Sequence, residues 1–361
     1  MIASDVLRTG VEQGIITAEQ AERLRALDGV REPPELPVSP DDEQLRFITG
    51  FSDIFVTIGL AMFIGAIGNF ALRFGGKLEM WIAIAIAAWL LAEFFTRLRR
   101  MALPSIVLLI VFTAAVFMGA SQLLGADYVA PTRSNGPNLT GNLLGLDPLQ
   151  PIALAAAAFI TVLLTVVHYL RFRVPITIAA GCGALTGGVV GLIYGLAPQL
   201  PPGAQNVVIF VCGLAIFVLA MRFDMSDPER MTRRTDIAFW LHLLAAPLIV
   251  HSLIREMMTD VSRLGPGSAI AIIIVFLVLS FVAVLIDRRA MLVSGLSYAG
   301  IAFSTLIRQV GFSDMTTPLT IMALGAFVLL LSAGWRPLRA GILQHVPSAL
   351  THRLPKTSPS A

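Results

Sequence analysis

Apolar runs long enough to cross a bilayer dominate this chain. They recur at about 48–71, 79–96, 103–124, 150–170, 175–196, 206–222, 236–254, 268–286, 290–309 and 318–335. A hydrocarbon core of about 30 Å is crossed by roughly 20 helical residues. A backbone inside lipid must satisfy its own hydrogen bonds, which a helix does locally. Each run is therefore predicted as a transmembrane helix, and the fold class as an all-α, polytopic transmembrane bundle of about ten helices. Composition agrees, since 56% of the residues are hydrophobic and only 14% charged, against about 45–50% and about 25% in soluble chains.

The short segments between the runs orient the bundle. With the N-terminus inside, the cytosolic segments hold twenty of the 26 basic residues, among them Arg97, Arg99 and Arg100, Arg171 and Arg173, and Arg288 and Arg289. The opposite segments hold six: Arg73, Lys77, Arg133, Arg255, Arg263 and Arg308. One missed or surplus span would invert every later loop and erase that contrast. The excess of basic residues on cytosolic loops thus predicts N- and C-termini on the cytosolic side. The net charge of +3 is accounted for by this topology signal and not by a nucleic-acid surface. Cys182 and Cys212 sit inside apolar runs and read as small packing residues, so neither a disulfide nor a metal pair is expected.

Three regions follow: 1–46, a soluble helical hairpin with a Pro-rich linker; 47–336, the membrane bundle; and 337–361, a basic cytosolic tail. In the first, Val6, Leu7, Val11, Ile15 and Ile16 precede Thr17-Ala-Glu-Gln20, a capping-box pattern, and Ala21, Leu24 and Leu27 repeat at helical spacing. Two short helices joined around Gly14 are predicted, then a linker through Pro33, Pro34, Pro37 and Pro40. The stretch Gly14-Ile-Ile-Thr17-Ala-Glu-Gln20 with Leu24 and Leu27 resembles short bacterial hairpin domains appended to membrane proteins. It is also similar to the N-terminal segment of a family of predicted, uncharacterised bacterial integral membrane proteins. That resemblance implies a multi-pass protein of the bacterial inner membrane and carries no catalytic residue. Asn138-Leu-Thr140 matches a glycosylation sequon but reads as ordinary loop composition. Trp335-Arg336-Pro337-Leu338-Arg339 reads as an aromatic and basic anchor at the cytosolic interface.

Ionisable and small residues within the runs single out a few positions. In the fifth run Gly183, Gly187, Gly191 and Gly195 recur every four residues, a spacing that lets a second backbone approach. It suits either packing or a sliding helix. The ninth run carries Ser294, Ser297, Tyr298, Ser304, Thr305 and Arg308 at helical steps, interrupted by Ile301. These hydroxyls serve interhelical bonding or line a hydrated path. Asp53, one turn before Thr57, lies inside the first run and needs a partner. Glu93 is four residues before Arg97, which suits an interfacial pair, and His168 reads as interfacial.

The seventh run, Asp236 to Arg255, is the most polar. It holds Asp236, His242, Pro247, His251 and Arg255. The histidines are nine residues apart, so at about 100° per residue they face opposite sides and form no two-histidine metal clamp. Pro247 lacks an N–H and frees the Leu243 carbonyl, predicting a kink near the midplane. By depth, Asp53, Asp236 and His242 are expected in a cytosolic-half layer, and His251, Arg255 and Arg308 in an outer-half layer.

The function expected from these features is secondary transport of a small molecule, with His242 and Asp53 exchanging protons and Arg255 or Arg308 attracting an anion. Ten spans permit two five-helix halves of opposite orientation, although no sequence similarity links 48–196 with 206–335. The alternative is a non-transporting scaffold or sensor acting through the cytosolic hairpin, with residues 1–30 self-associating or binding a protein. The partner expected in either case is the lipid bilayer. No nucleophile and base, paired acids or metal-ligand spacing appears, so no enzymatic activity, metal or cofactor is expected.

Overall fold

The computed structural model describes residues 7, 9, 11–23, 51–126, 151–197, 199–227, 232–255 and 265–345. These belong to two compact units, Met1–Gln44 and Leu45–Pro355. The linker prolines, Leu24, Leu27, the sequon at Asn138, Arg133, Arg263 and the tail from 346 onward lie outside the described residues.

In the first unit, helical residues 11–12 and 18–23 flank a turn. Gly14 takes φ +71° there, a left-handed value that glycine adopts without steric cost. The Thr17 hydroxyl accepts from the Gln20 N–H at 3.2 Å, and Gln20 Oε1 accepts from the Thr17 N–H at 2.8 Å. This is the reciprocal capping box, which satisfies two otherwise orphaned donors.

Among the described residues, the second unit contains ten helices long and apolar enough to cross a membrane. They are α1 (Phe51–Phe74), α2 (Lys77–Ala92), α3 (Ala102–Leu123), α4 (Pro151–Phe172), α5 (Ile176–Leu196), α6 (Pro202–Met225), α7 (Arg233–Ile254), α8 (Pro266–Ile286), α9 (Ala290–Gln309) and α10 (Thr316–Leu343). The protein is an all-α, multi-pass membrane bundle. α2 ends in a π-helical turn, Glu93–Leu98. There Glu93 is gripped mainly by α4, with Arg171 Nε donating to Oε1 at 2.7 Å and Nη2 to Oε2 at 3.0 Å, and less closely by Arg97 at 3.3 Å. The expected Glu93–Arg97 pair is therefore one part of a three-residue contact. α10 continues through Pro337 to Leu343, so the expected boundary between bundle and tail at 336 falls inside a helix.

Helix neighbours follow a simple order. α1, α2 and α3 pack together, α3 leads to the α4–α5 pair, α5 touches α7 of the α6–α7 pair, and α7 abuts α9 in a group of α8, α9 and α10. The grouping runs three, two, two, three. Tandem five-helix repeats would give three, two, three, two, so the neighbour pattern does not repeat between the halves. α7 is the most enclosed helix, half of its apolar window being buried, while α10 has only 6% of its window buried. In lipid, exposed apolar faces cost nothing, and association depends on close approach and polar contacts. Gly213 of α6 supplies such an approach. A Cβ there would lie 3.0 Å from the Leu248 Cβ and Ile249 Cγ1 and 3.2 Å from the Ile249 nitrogen.

The glycine row of α5 divides. Gly191 and Gly195 press on α4, at Pro151, Ile152 and Ala155, together with Gly188 against Phe159. Gly183 meets Leu244 of α7, and Gly187 has nothing within 4 Å. A four-residue step advances the helix by about 40° beyond a full turn, so three steps carry Gly195 about 120° from Gly183. The row is thus not one packing face. α7 is continuous through Pro247, so it is not a broken helix of the type that builds transporter midplane sites.

Candidate functional site

The corner between α8 and α9 aims charge into the bundle. Asp287 caps α8 in the left-handed conformation, φ 58° and ψ 51°, which aspartate tolerates better than most side chains. The Arg288 N–H bonds the Ala283 carbonyl at 2.8 Å and the Asp287 N–H bonds that of Val284 at 3.2 Å, the paired bonds of a Schellman stop. The chain then enters α9 at Ala290 with no further loop. This sharp stop turns Arg288 inward, and it is 1% exposed.

Arg288 meets Asp224, near the C-terminus of α6 and 3% exposed. Its Nε donates to Oδ2 at 3.1 Å, and its Nη2 donates to Oδ1. Two parallel bonds to one carboxylate suit the planar guanidinium. His242 of α7, fully buried, brings Nε2 to 2.8 Å from the same Asp224 Oδ2. An ionised carboxylate only accepts, so the imidazole hydrogen belongs on Nε2. The Phe217 ring covers the imidazole edge-on at 5.4 Å. Arg288 also reaches the Thr235 carbonyl at 3.5 Å. Asp224, His242 and Arg288 thus join α6, α7 and the α8–α9 corner around one carboxylate.

Two further carboxylates extend this cluster along the same end of the bundle. Asp227 Oδ2 accepts from the Thr232 N–H at 2.8 Å and from the hydroxyls of Thr232 and Thr235 at 2.6 and 3.1 Å, fixing the start of α7. Asp287 accepts from the Trp335 indole N–H at 2.6 Å and lies 3.8 Å from Arg339. The Arg289 guanidinium lies over the Trp335 ring, 5.1 Å from its centroid. Trp335 and Arg339 are 3% and 2% exposed. They face protein and not the membrane interface, because Asp287 offers the indole and guanidinium an internal acceptor. The expected anchor is therefore an internal clasp holding α10.

The expected inner layer is rearranged accordingly. His242 takes Asp224 as a carboxylate partner. Asp236 is exposed in the first turn of α7. Asp53 is buried on the face of α1 that carries Leu60 and Ile64, and α1 packs on α2 and α3. The outer layer is joined in part. His251 Nδ1 and the Tyr298 hydroxyl share a 2.6 Å hydrogen bond between α7 and α9, with Arg255 one turn beyond His251. Arg308 stands apart, folded onto its own helix at Ser304, 3.3 Å from the carbonyl and 3.2 Å from the hydroxyl.

The polar row of α9 accordingly splits. Tyr298 turns toward α7 and Ser304 with Arg308 toward α10, Ser297 is exposed, and Ser294 and Thr305 bond backbone carbonyls of α9 itself. His168 is 1% exposed inside a box of Trp89, Phe112 and Phe172 rings at 5.7, 5.4 and 4.6 Å. It is an interior residue and not an interfacial one, because its helix turns it toward α2 and α3.

Sequence reasoning missed Asp224, Asp227, Arg288, Asp287 and Arg339 as site residues. The available signal was chemical: acids recur beside arginines in segments whose topology role calls only for positive charge. Among the described residues, no group of three or more His, Cys, Asp or Glu side chains is arranged to hold a metal ion. No family model, curated protein or solved structure matches this chain.

Proposed function

We propose that this multi-pass membrane protein is a proton-coupled secondary transporter of the bacterial inner membrane, with the Asp224–His242–Arg288 cluster as its proton-exchange site. One observation carries the reading: a histidine, fully buried within a membrane helix, shares one carboxylate oxygen with an arginine. Ionisable groups at such positions are costly and mark ion or proton pathways. Asp224 is already neutralised by Arg288. A proton arriving on His242 adds a second cation to one carboxylate, so the two cations compete and the hold of Arg288 on α6 loosens. Protonation is in this way coupled to the attachment of the α8–α9 corner.

The second reading is a membrane scaffold or sensor in which the same cluster is a static clasp. The observation favouring it is the dense pairing at this end of the bundle, from Asp224 through Asp287, Trp335 and Arg339. The two readings separate in proteoliposomes loaded with a pH dye and challenged with gradients of small organic anions, organic cations and neutral metabolites. Transport requires that at least one solute gradient drives proton movement, and that His242→Gln abolishes it in a folded protein. Proton movement indifferent to His242→Gln refutes the exchange site. Absence of any solute-driven flux, together with loss of cellular function on deleting residues 1–46, supports the scaffold.

A further inference from the structure

We propose that the groove between the outer ends of α9 and α10 binds the phosphodiester of an anionic membrane phospholipid. The groove has a volume of about 470 Å³ and is lined by Ser304, Arg308, Thr316, Thr317, Thr320 and Ile321. It lies at the end of the bundle opposite the Asp224 cluster, where α9 ends and α10 begins. Its chemistry is one cation among four hydroxyl-bearing side chains. Arg308 is exposed and, among the described residues, bonds Ser304. No acidic side chain pairs with it among the described residues, and Asp314 of the intervening turn does not line the groove.

The Thr316 and Thr320 hydroxyls donate to the Phe312 and Thr316 carbonyls at 3.1 and 2.7 Å, so the guanidinium N–H groups with the Ser304 and Thr317 hydroxyls form the part of the groove suited to a tetrahedral oxyanion. The single positive charge matches the single negative charge of a phosphodiester better than the higher charge of free phosphate. The lower wall of the groove argues for a lipid as the source. Ile321 is 65% exposed, and Val328, seven residues on and on the same helix face, is 43% exposed, so the apolar surface continues down α10. A ligand with a charged head and an apolar tail satisfies both parts, whereas a soluble anion uses only the upper one. Basic pockets between membrane helices bind anionic lipid head groups. The site is separate from the Asp224 cluster and does not depend on transport.

Arg73 provides an internal control. It also lies in the last turn of a helix at the outer side, is exposed, and bonds a polar side chain one turn back, Asn69 Oδ1 at 3.0 Å. It does not line the groove between α9 and α10. The full chain in detergent is titrated with phosphatidylglycerol or phosphatidylcholine, and bound lipid is counted by native mass spectrometry. Wild-type protein is expected to retain phosphatidylglycerol preferentially. Arg308→Ala should lower its occupancy about fivefold, the effect of about one interfacial cation. Thr317→Val should lower it less, and Arg73→Ala should leave it unchanged. Wild-type occupancy in Arg308→Ala, equal losses in Arg308→Ala and Arg73→Ala, or no preference between the two lipids would overturn the proposal. So would Arg308-dependent displacement of the lipid by millimolar inorganic phosphate, which would identify a soluble anion as the occupant.

Discussion

The Asp224–Arg288 pair makes a quantitative prediction about what joins the helices of the second half. Both side chains are almost fully buried, 3% and 2% exposed. At a separation near 3 Å and an effective dielectric of about 20, their attraction is roughly 5 kcal/mol. Removing one partner leaves the other as an uncompensated charge, which costs about 3–5 kcal/mol. Asp224→Leu and Arg288→Met are each expected to destabilise by that amount, a shift of more than two orders of magnitude in the folding equilibrium. The double variant removes both charges. What remains is the His242 N–H without its acceptor, a loss of about 1–3 kcal/mol. If the sites were independent the double variant would lose about 6–10 kcal/mol, so a coupling of at least about 3 kcal/mol is expected. Reversible unfolding in mixed micelles, followed by circular dichroism for all four proteins, measures it. Strictly additive losses, or single variants within about 1 kcal/mol of wild type, would refute the claim that this pair is a buried, mutually dependent contact.

Three smaller tests address the other contacts. Gly213→Leu should drive a side chain into Leu248 and Ile249 and cost about 1–3 kcal/mol, whereas Gly187→Leu, with open space around it, should stay within about 0.5 kcal/mol; equal losses by denaturant titration would contradict the described α6–α7 approach. Tyr298→Phe removes the bond to His251, and its cost should fall near 0.6 and below about 1.7 kcal/mol, the range of membrane interhelical hydrogen bonds. Trp335→Phe removes a donor from Asp287 at about 1–3 kcal/mol, and because α10 has few other buried residues, hydrogen exchange should rise selectively over its last turns. Unchanged exchange there would show that the clasp does not hold the helix.

Hydropathy and the arginine distribution made the ten helices legible, because length and burial in lipid depend on local composition. The capping box at Thr17 and Gln20 was legible for the same reason: it is a contact of near neighbours. The candidate site was less so. His242 stood out as a polar residue in an apolar run, but Asp224 did not, since the run that contains its helix loses its apolar character at 222. Its burial arises from side-chain direction. In a helix side chains lean toward the N-terminus, so Asp224, near the end of α6, leans into the bundle, and His242 of the antiparallel α7 leans back to meet it. The sharp stop at Asp287 then supplies Arg288. None of these three placements is a property of one segment, and depth alone favoured Asp53, which belongs to a different helix group.

The grouping of helices bears on how any movement would be organised. If the two halves were inverted repeats, alternating access would be the rocking of one half against an equivalent other. A three, two, two, three order offers no such equivalence. The polar ties at one end of the bundle instead gather α6, α7, the α8–α9 corner and α10 around Asp224 and Asp287, while α1–α5 hold a separate cluster at His168 and the Glu93–Arg171 contact. α7 abuts both an earlier pair, through α5, and the last group, through α9. A proton on His242 therefore acts where one helix is shared, and the element it would release is the Arg288 corner and not a whole half. A carrier of this design moves α8–α10 against α6 and α7. Crosslinking α9 to α7 at the Tyr298 and His251 level should then arrest it, whereas crosslinking α4 to α5 should not.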